Sequence, residues 1–182
     1  KARTFTPPSN DESFIFAQLA KNLENACIKA RRHGLAATRL VVFLRTQDFK
    51  DRGVELRLSR ATAYPSELFS PAREGFRRLF RAGALYRQTG VVLVGLVPQG
   101  MAQYTLFDDT TRVEKLSRVY GAVDAMSRRF GKHTLMHAPS LPSKLQARHE
   151  GERGDTPERT HELFKGEDAR RRLGLPMIRV RV

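Results

Sequence analysis

The order of strand-like and helix-like segments in the first 100 residues constrains the fold of this chain most. Residues 54–62 begin with a clean alternation in which Val54, Leu56 and Leu58 share one side and polar residues share the other. This pattern is typical of a strand with one face on a core and one face free. Further strands are predicted, from β-branched and aromatic residues or from extended basic sequence, at residues 1–7, 38–47 and 89–98.

Two amphipathic helical segments separate these strands. The first, residues 9–34, begins with a capping box made by Ser9 and Glu12 and ends at Gly34. The second, residues 64–83, again has apolar residues at helical spacing. The resulting order, β-α-β-β-α-β, predicts an α+β domain. Two helices would cover one face of a four-stranded sheet and leave the other face open.

The remaining 82 residues follow a different pattern and predict a helical C-terminal extension. A third helix is expected at residues 111–130, with Val113, Leu116, Val119, Tyr120, Val123, Met126 and Phe130 on its apolar side. We divide the chain into a domain at 1–100, a connector at 101–110, a helix with a short strand at 111–137, a flexible linker at 138–160 and a basic tail at 161–182.

The charge balance favours an anionic partner. The chain has 33 Lys and Arg residues against 19 Asp and Glu, a net charge of +14. No apolar run is long enough to predict a membrane span. We therefore expect nucleic acid rather than a membrane as the partner, although a solvated basic surface without such a partner stays an alternative.

The predicted strands interleave arginines with small hydroxyl residues. Arg45 with Thr46, and Arg57 with Ser59, are combinations that suit phosphate oxygens, because guanidinium groups fork onto them and small residues let the backbone approach. The open side of residues 54–62 carries no Asn, Gln or aromatic residue for reading bases. We therefore predict contact with the DNA backbone, and the alternative is a solvated strand face.

A reaction centre is not apparent in the sequence. Asp48 and Asp51 share one loop and would suit a cation, but we interpret them as part of a polar turn. His133 and His137 are four residues apart, yet they follow a helix-ending glycine, which disfavours a shared metal site. The chain thus makes a poor case as a self-contained enzyme.

Three stretches together resemble a known family. "FTPPSNDESFIFAQLAKNLENACIKARRHGLAATRLVVFLRTQDF", "LSRATAYPSELF" and "LYRQTGVVLVGL" are similar, in order and spacing, to the little finger domain of Y-family translesion DNA polymerases of the DNA polymerase IV and UmuC type. The resemblance covers roughly residues 1–107. It implies a β-α-β-β-α-β domain whose sheet lies against double-stranded template–primer DNA.

The resemblance also implies individual DNA contacts. They fall on matching motifs at Lys1, Arg3, Arg45, Thr46, Ser59, Arg60 and Thr62, and Arg57 joins them because it shares the side of Ser59. The pleat of a regular strand would instead place Arg60 and Thr62 on the core side. The two arguments therefore disagree about these two residues.

The connector resembles the clamp-binding peptide of the same family. That peptide has a Gln followed three residues later by a Leu-Phe pair, which here implies a sliding-clamp contact through Gln103, Tyr104, Thr105, Leu106 and Phe107. An extended peptide of this kind inserts its apolar anchors into a pocket. The alternative is that Tyr104, Leu106 and Phe107 pack against the domain or the third helix.

The family's catalytic carboxylates are not found in this chain. The resemblance therefore implies a non-catalytic DNA-gripping and clamp-tethering region of a bacterial, cytoplasmic lesion-bypass polymerase active in SOS-type DNA repair. It implies no cofactor for this region, and two Mg²⁺ ions for the parent nucleotidyltransferase. A stand-alone nucleic-acid-binding accessory protein and a clamp- or partner-binding module remain the alternatives.

Overall fold

The predicted α+β architecture is confirmed by a computed structural model, which describes residues 1–99, 110–131 and 133–145. The strands are β1 (Ala2–Ser9), β2 (Leu35–Thr46), β3 (Asp51–Thr62) and β4 (Tyr86–Pro98). The helices are α1 (Glu12–Arg32), α2 (Pro65–Leu79), α3 (Thr110–Phe130) and the short α4 (Pro142–Leu145), with a 3₁₀ turn at Ala138–Ser140.

The four strands form one antiparallel sheet in the order β1-β4-β2-β3. Its centre is the long pairing of β2 with β4, in which Val42 lies opposite Val91, and on its other side Val42 lies opposite Val54. Residues directly opposite each other point to the same side of a sheet. The alternation along each strand therefore continues across all the strands and creates one apolar face.

Both α1 and α2 pack on that apolar face. The core they form with the sheet is led by fully buried side chains: Ile15, Leu19, Leu23, Leu40, Val42, Leu68, Phe76 and Val91. Gly75 sets how closely α2 approaches the sheet, because an added Cβ there would lie 2.8 Å from Leu56 Cδ1. The opposite face of the sheet is left without a covering helix from this layer, as the sequence predicts.

The start of α1 differs from the predicted capping box. Asp11 is the N-cap, and its Oδ1 accepts hydrogen bonds from the backbone N–H groups of Ser13 (2.8 Å) and Phe14 (3.2 Å). Ser9 Oγ instead accepts from the Asp11 N–H at 3.1 Å. The prediction failed because Ser9 belongs to β1, and an aspartate two residues later caps equally well.

The C-terminal extension docks on the outer side of α1 through polar contacts. Arg31 of α1 makes two hydrogen bonds to Asp124 of α3, from Nε (2.8 Å) and from Nη2 (2.7 Å). The Tyr120 ring lies under the same guanidinium, 4.8 Å from its Cζ. Tyr120 is buried, whereas Val119, Met126 and Phe130 are exposed, so the predicted apolar stripe of α3 is only partly correct.

A buried carboxylate holds the segment that follows α3. Glu24 of α1 is 4% exposed, and its Oε1 accepts hydrogen bonds from the His137 backbone N–H (3.0 Å) and from Ser140 Oγ (2.7 Å). His133 Nδ1 lies 3.5 Å from Oε2 of the same carboxylate. Burial alone would raise the pKa of Glu24, but hydrogen bonds from the two histidines and Ser140 outweigh it and lower the pKa to about 2.

Two predictions for this region are wrong. Residues 133–137 form turns and bends rather than a short strand. Residues 138–145 are ordered as a 3₁₀ turn and α4 rather than as the start of a linker, and Ser140 and Ser143 are buried there. The contacts to Glu24 explain both differences, because they order a polar segment through partners more than 100 positions away in the sequence. Residues 146–182 lie outside the described part.

Among the helices that the structure describes, none combines the length and apolar character needed to cross a bilayer.

Candidate nucleic-acid interface

The open face of the sheet is built by the residues that alternate with the core positions. Along β2 and β3 it carries charged and apolar side chains in succession, while β1 and β4 add small or apolar ones together with Gln88. Its members are Ala2, Thr4, Arg39, Val41, Phe43, Arg45, Glu55, Arg57, Ser59, Gln88, Gly90, Val92 and Val94. We call this set the open face.

Two arginines lie directly opposite each other on this face. Arg39 of β2 pairs in register with Arg57 of β3, and both side chains are exposed. Arg39 Nη1 donates to Glu55 Oε1 at 2.9 Å, whereas Arg57 has no ion-pair partner within the described residues. Like charges placed opposite each other destabilise a sheet, so this pair is best satisfied by an external anion.

Arg39 is one of the arginines that the predicted strands interleave with hydroxyl residues, but the family motifs assigned it no individual DNA contact. The available signal was the alternation along β2, which places Arg39 and Arg45 on one side. The strand register needed to place Arg39 beside Arg57 depends on how β2 and β3 pair, and residue spacing alone does not specify it.

Arg45 and Thr46 lie where β2 leaves the sheet. Arg45 forms two hydrogen bonds of 2.6 Å to the carboxylate of Asp51, and this contact raises the pKa of Arg45 and lowers that of Asp51. Thr46 Oγ1 donates to Asp48, which also pairs with Lys50. Both side chains are therefore already engaged with acids of the neighbouring loop.

Apolar side chains occupy the centre of the open face. Phe43 lies across Gly90 of β4 so closely that a Cβ added to Gly90 would come within 2.2 Å of the Phe43 ring. Val92 is 44% exposed beside them. The alternation that predicted an open side covered only residues 54–62, so this patch, which the neighbouring strand β2 contributes, was not predicted.

Arg60 and Thr62 lie outside the open face. The pairing of β2 with β3 shifts register between Arg57 and Thr62, and both side chains beyond that shift turn to Glu67 of α2. Arg60 forms an ion pair with Glu67, with both side chains 14% exposed, and Thr62 Oγ1 donates to the other oxygen of Glu67 at 2.5 Å. The structure thus places them on the helix side, as the pleat predicts.

Lys1 and Arg3 also lie away from the open face. Arg3 of the edge strand β1 pairs with Thr89, which is fully buried against α1. The Lys1 carbonyl accepts a hydrogen bond from the Val91 N–H at 2.8 Å. Lys1 therefore lies beside Val91, which is also a core residue. Both side chains are exposed at the edge of the sheet, on the side of the helices.

A metal site is not supported by the acids and histidines that the structure describes. No group of three or more His, Cys, Asp or Glu side chains in the described ranges is arranged to hold a metal ion. Asp48 and Asp51 are paired with Lys50 and Arg45. These residues therefore do not fit the two Mg²⁺ ions expected of the parent enzyme. The clamp-binding prediction, Gln103–Phe107, falls outside the described residues.

The sequence matches the model of the impB/mucB/samB family C-terminal domain over residues 1–106. Two curated relatives are DNA polymerase IV of Pelotomaculum thermopropionicum, 28% identical over 118 residues, and DNA polymerase IV of Moorella thermoacetica, 30% identical over 122 residues. Each alignment covers 65% of this chain but only 29% and 30% of the relative. The chain thus spans about a third or less of these proteins.

A similar solved structure is the complex of the beta-clamp processivity factor and the little finger domain of PolIV. It is 23% identical, with a TM-score of 0.41, and the similarity covers 59% of this chain and 96% of that one. The family match ends before α3, so it includes the open face and leaves the docked extension outside.

Proposed function

The chain belongs to the impB/mucB/samB family of C-terminal domains, the C-terminal region of Y-family DNA polymerases, and we propose that its open face grips the backbone of double-stranded DNA. The region itself is non-catalytic in this proposal. It holds the template–primer duplex for a polymerase active site in the same parent protein.

The opposition of Arg39 and Arg57 carries this proposal. Two exposed guanidinium groups lie in register, and a single carboxylate, that of Glu55, is bonded to one of them, Arg39, which leaves a local positive charge on the open face. A phosphate oxygen is the natural partner, since guanidinium forks bind phosphate in a bidentate manner. The small residue Ser59, two positions after Arg57 on β3, allows a backbone to approach.

The composition of the open face favours backbone contact over base readout. Its polar groups are mainly arginines and hydroxyls, and its centre is the apolar patch around Phe43. A flat sheet does not enter the major groove as a helix or two-stranded ribbon does. Binding should therefore be weak, indifferent to sequence and steeply dependent on salt.

A double substitution tests the proposal. Arg45→Glu with Arg57→Glu should weaken all duplexes alike, by more than tenfold in about 0.1 M salt, because two cations are replaced by anions. Fluorescence anisotropy with labelled duplexes of unrelated sequence measures this. Arg77→Glu with Arg81→Glu is the matched control, since it makes the same charge change at exposed positions on the helix side.

Two results would contradict the DNA-facing sheet. One is a duplex affinity that does not change with salt. The other is an equal loss of affinity in the test and control pairs, which would indicate a general charge effect. Melting temperatures of both double variants establish that each remains folded, and Arg45→Gln with Arg57→Gln serves if the glutamates unfold the domain.

Clamp docking is the second part of the proposal, and it is supported by sequence alone. The pattern "QYTLF" directly follows the DNA-binding domain, and Leu106 with Phe107 would enter an apolar pocket of the replication clamp while Gln103 binds at its rim. Such a tether raises the effective concentration of the domain at the primer end.

The parent protein, in this proposal, is a DNA-directed polymerase of the lesion-bypass type acting in the bacterial cytoplasm, at the nucleoid, in the SOS response to DNA damage. Its catalytic carboxylates and Mg²⁺ ions would belong to parts of the protein that this sequence does not include. The alternative, a stand-alone DNA-binding accessory protein, is distinguished by the reading frame upstream of Lys1. A frame that encodes a metal-binding palm supports the polymerase.

A further inference from the structure

A cleft of about 560 Å³ lies at the end of the open face, where β3, α2 and α3 meet. Its walls are the last residues of β3, the first two turns of α2 and the first turn of α3. The polar groups that line it include Arg57, Ser59, Arg60, Glu67 and Arg112. The volume is in the range of ligand-binding clefts, and the lining suits an anion.

The cleft is continuous with the proposed DNA-binding surface. Arg57 and Ser59 are exposed members of the open face, and the same two side chains line the cleft. A phosphodiester chain that follows β3 beyond the Arg39–Arg57 pair would therefore enter the cleft. This continuity favours a nucleic-acid backbone as the occupant.

The lining of the cleft contains three arginines and one acid. That acid is Glu67, and its two carboxylate oxygens are engaged by Arg60 and Thr62. Arg57 of β3 and Arg112 of α3 also line the cleft. Serine hydroxyls on β3 and α2 add hydrogen-bond donors of the kind that contact phosphates.

The position of Arg112 depends on the docking of α3. Tyr120 Oη accepts a hydrogen bond from the Ser66 backbone N–H at 3.1 Å, which joins α3 to the start of α2. Asp124 is held by Arg31 one turn further along. These two contacts fix α3 against α1 and α2, so that its first turn forms one wall of the cleft.

We propose that this cleft binds one backbone phosphate of the DNA duplex, with Arg57 and Arg112 as its charged donors. The helix α3, which lies beyond the family match, is then part of the DNA interface rather than a passive extension. This inference rests on the proposed function, because it needs the duplex to lie along the open face.

The substitution Arg112→Gln in the 182-residue chain tests it. Loss of one phosphate contact should weaken binding of a labelled duplex roughly 5- to 10-fold near 0.1 M salt and lower the slope of log affinity against log salt by about 1. Arg118→Gln, an exposed arginine of the same helix outside the cleft, is the control and should leave both quantities unchanged. Arg112→Lys should restore part of the affinity.

The remaining outcomes distinguish the cleft proposal from the open-face proposal. No effect of Arg112→Gln, or an equal effect of Arg118→Gln, would overturn the cleft but not the open face, provided that the Arg45 and Arg57 variants still weaken binding. If those variants also bind normally, both proposals fail. Calorimetric titration with inorganic phosphate is a further test, because it measures whether the cleft binds a free anion. Phosphate binding that is lost in Arg112→Gln while duplex affinity is unchanged would assign the cleft to a free anion and overturn the DNA proposal.

Discussion

Arg39 and Arg57 lie in register on β2 and β3, on the face of the sheet that α1 and α2 leave open. The pairing is unfavourable for the folded domain alone, because Glu55 contacts only Arg39. It is favourable once a phosphate lies between the two guanidinium groups. A local cost to stability at a binding surface is expected when selection acts on function.

Replacing Arg57 should therefore affect stability and binding in opposite directions. Arg57→Gln is expected to raise the free energy of unfolding by a few tenths of a kcal/mol, through relief of the like-charge pair, while duplex affinity falls several-fold. Urea denaturation and anisotropy measure the two effects. Arg45→Gln is the comparison, since it breaks an ion pair with Asp51 and should give no gain in stability. A loss of stability in Arg57→Gln would contradict the argument.

The contact of Phe43 with Gly90 should appear as strong coupling. Gly90→Ala forces the Phe43 ring away from the sheet, because the new Cβ would lie 2.2 Å from it, and a cost of about 1 kcal/mol is expected. The same change in a Phe43→Ala background should cost little or nothing. Urea denaturation of the four proteins gives the coupling energy, and additive effects would show that the ring does not restrict residue 90.

The buried Glu24 should make stability dependent on acid pH. Its folded pKa, about 2, lies below the ordinary value of 4.5, so its contribution is complete above about pH 4.5 and is lost as the pH falls through about 2. A shift of this size corresponds to a contribution on the order of 3 kcal/mol. Urea denaturation from pH 6 to pH 2 should show this decline in the wild type and a flatter profile in Glu24→Gln.

Parallel profiles for the wild type and Glu24→Gln would show that the carboxylate does not hold residues 133–140. Glu12→Gln, at the exposed start of α1, controls for the removal of one carboxylate.

The buried pair of Arg31 and Asp124 should decide whether α3 stays docked. Asp124→Asn leaves Arg31, whose side chain is 7% exposed, without its charged partner, and docking should weaken by about 3 kcal/mol. Hydrogen exchange of α3 amides should then accelerate strongly while the amides of β2 and β4 remain protected. Arg128→Gln on the exposed side of α3 is the control. Unchanged protection of α3 in Asp124→Asn would mean that the contacts of Tyr120 suffice.

The connector should bind the clamp through its two apolar anchors. Leu106→Ala with Phe107→Ala is expected to abolish binding to an immobilised bacterial sliding clamp and to leave duplex affinity and melting temperature unchanged. Met101→Ala, two residues before Gln103 and outside the motif, should bind normally. A clear fall in melting temperature with clamp binding intact would instead support packing of the connector against the domain.

The fold could be predicted because it follows from patterns among residues that are close together in the sequence. Alternation in residues 54–58 and the helical spacing of apolar residues in α1 and α2 indicate which side of each element is buried. Short connections then limit how the elements can be arranged. The predicted sides of Arg45, Arg57 and Ser59 follow from the same alternation, which needs no knowledge of the rest of the chain.

The boundaries and pairings could not be predicted in the same way. Asp11 rather than Ser9 caps α1, because the extent of β1 decides which residue stands outside the helix. The register of β2 with β3 shifts between Arg57 and Thr62, and this shift was not predicted, although the alternation along β3 already places Arg60 and Thr62 on the side of Glu67. A register shift depends on both strands at once, and a single strand's sequence does not contain it.

The sequence by itself determined the α+β layer arrangement, the basic character of the chain and the side on which the open-face arginines lie, since all three depend on neighbours a few residues apart. Tertiary structure alone decided that Arg39 meets Arg57, that Glu24 holds His137 and Ser140, and that Arg112 of α3 joins the cleft at the end of β3. These contacts join residues far apart in the chain, and they form only when the helices and the sheet have packed around a common core.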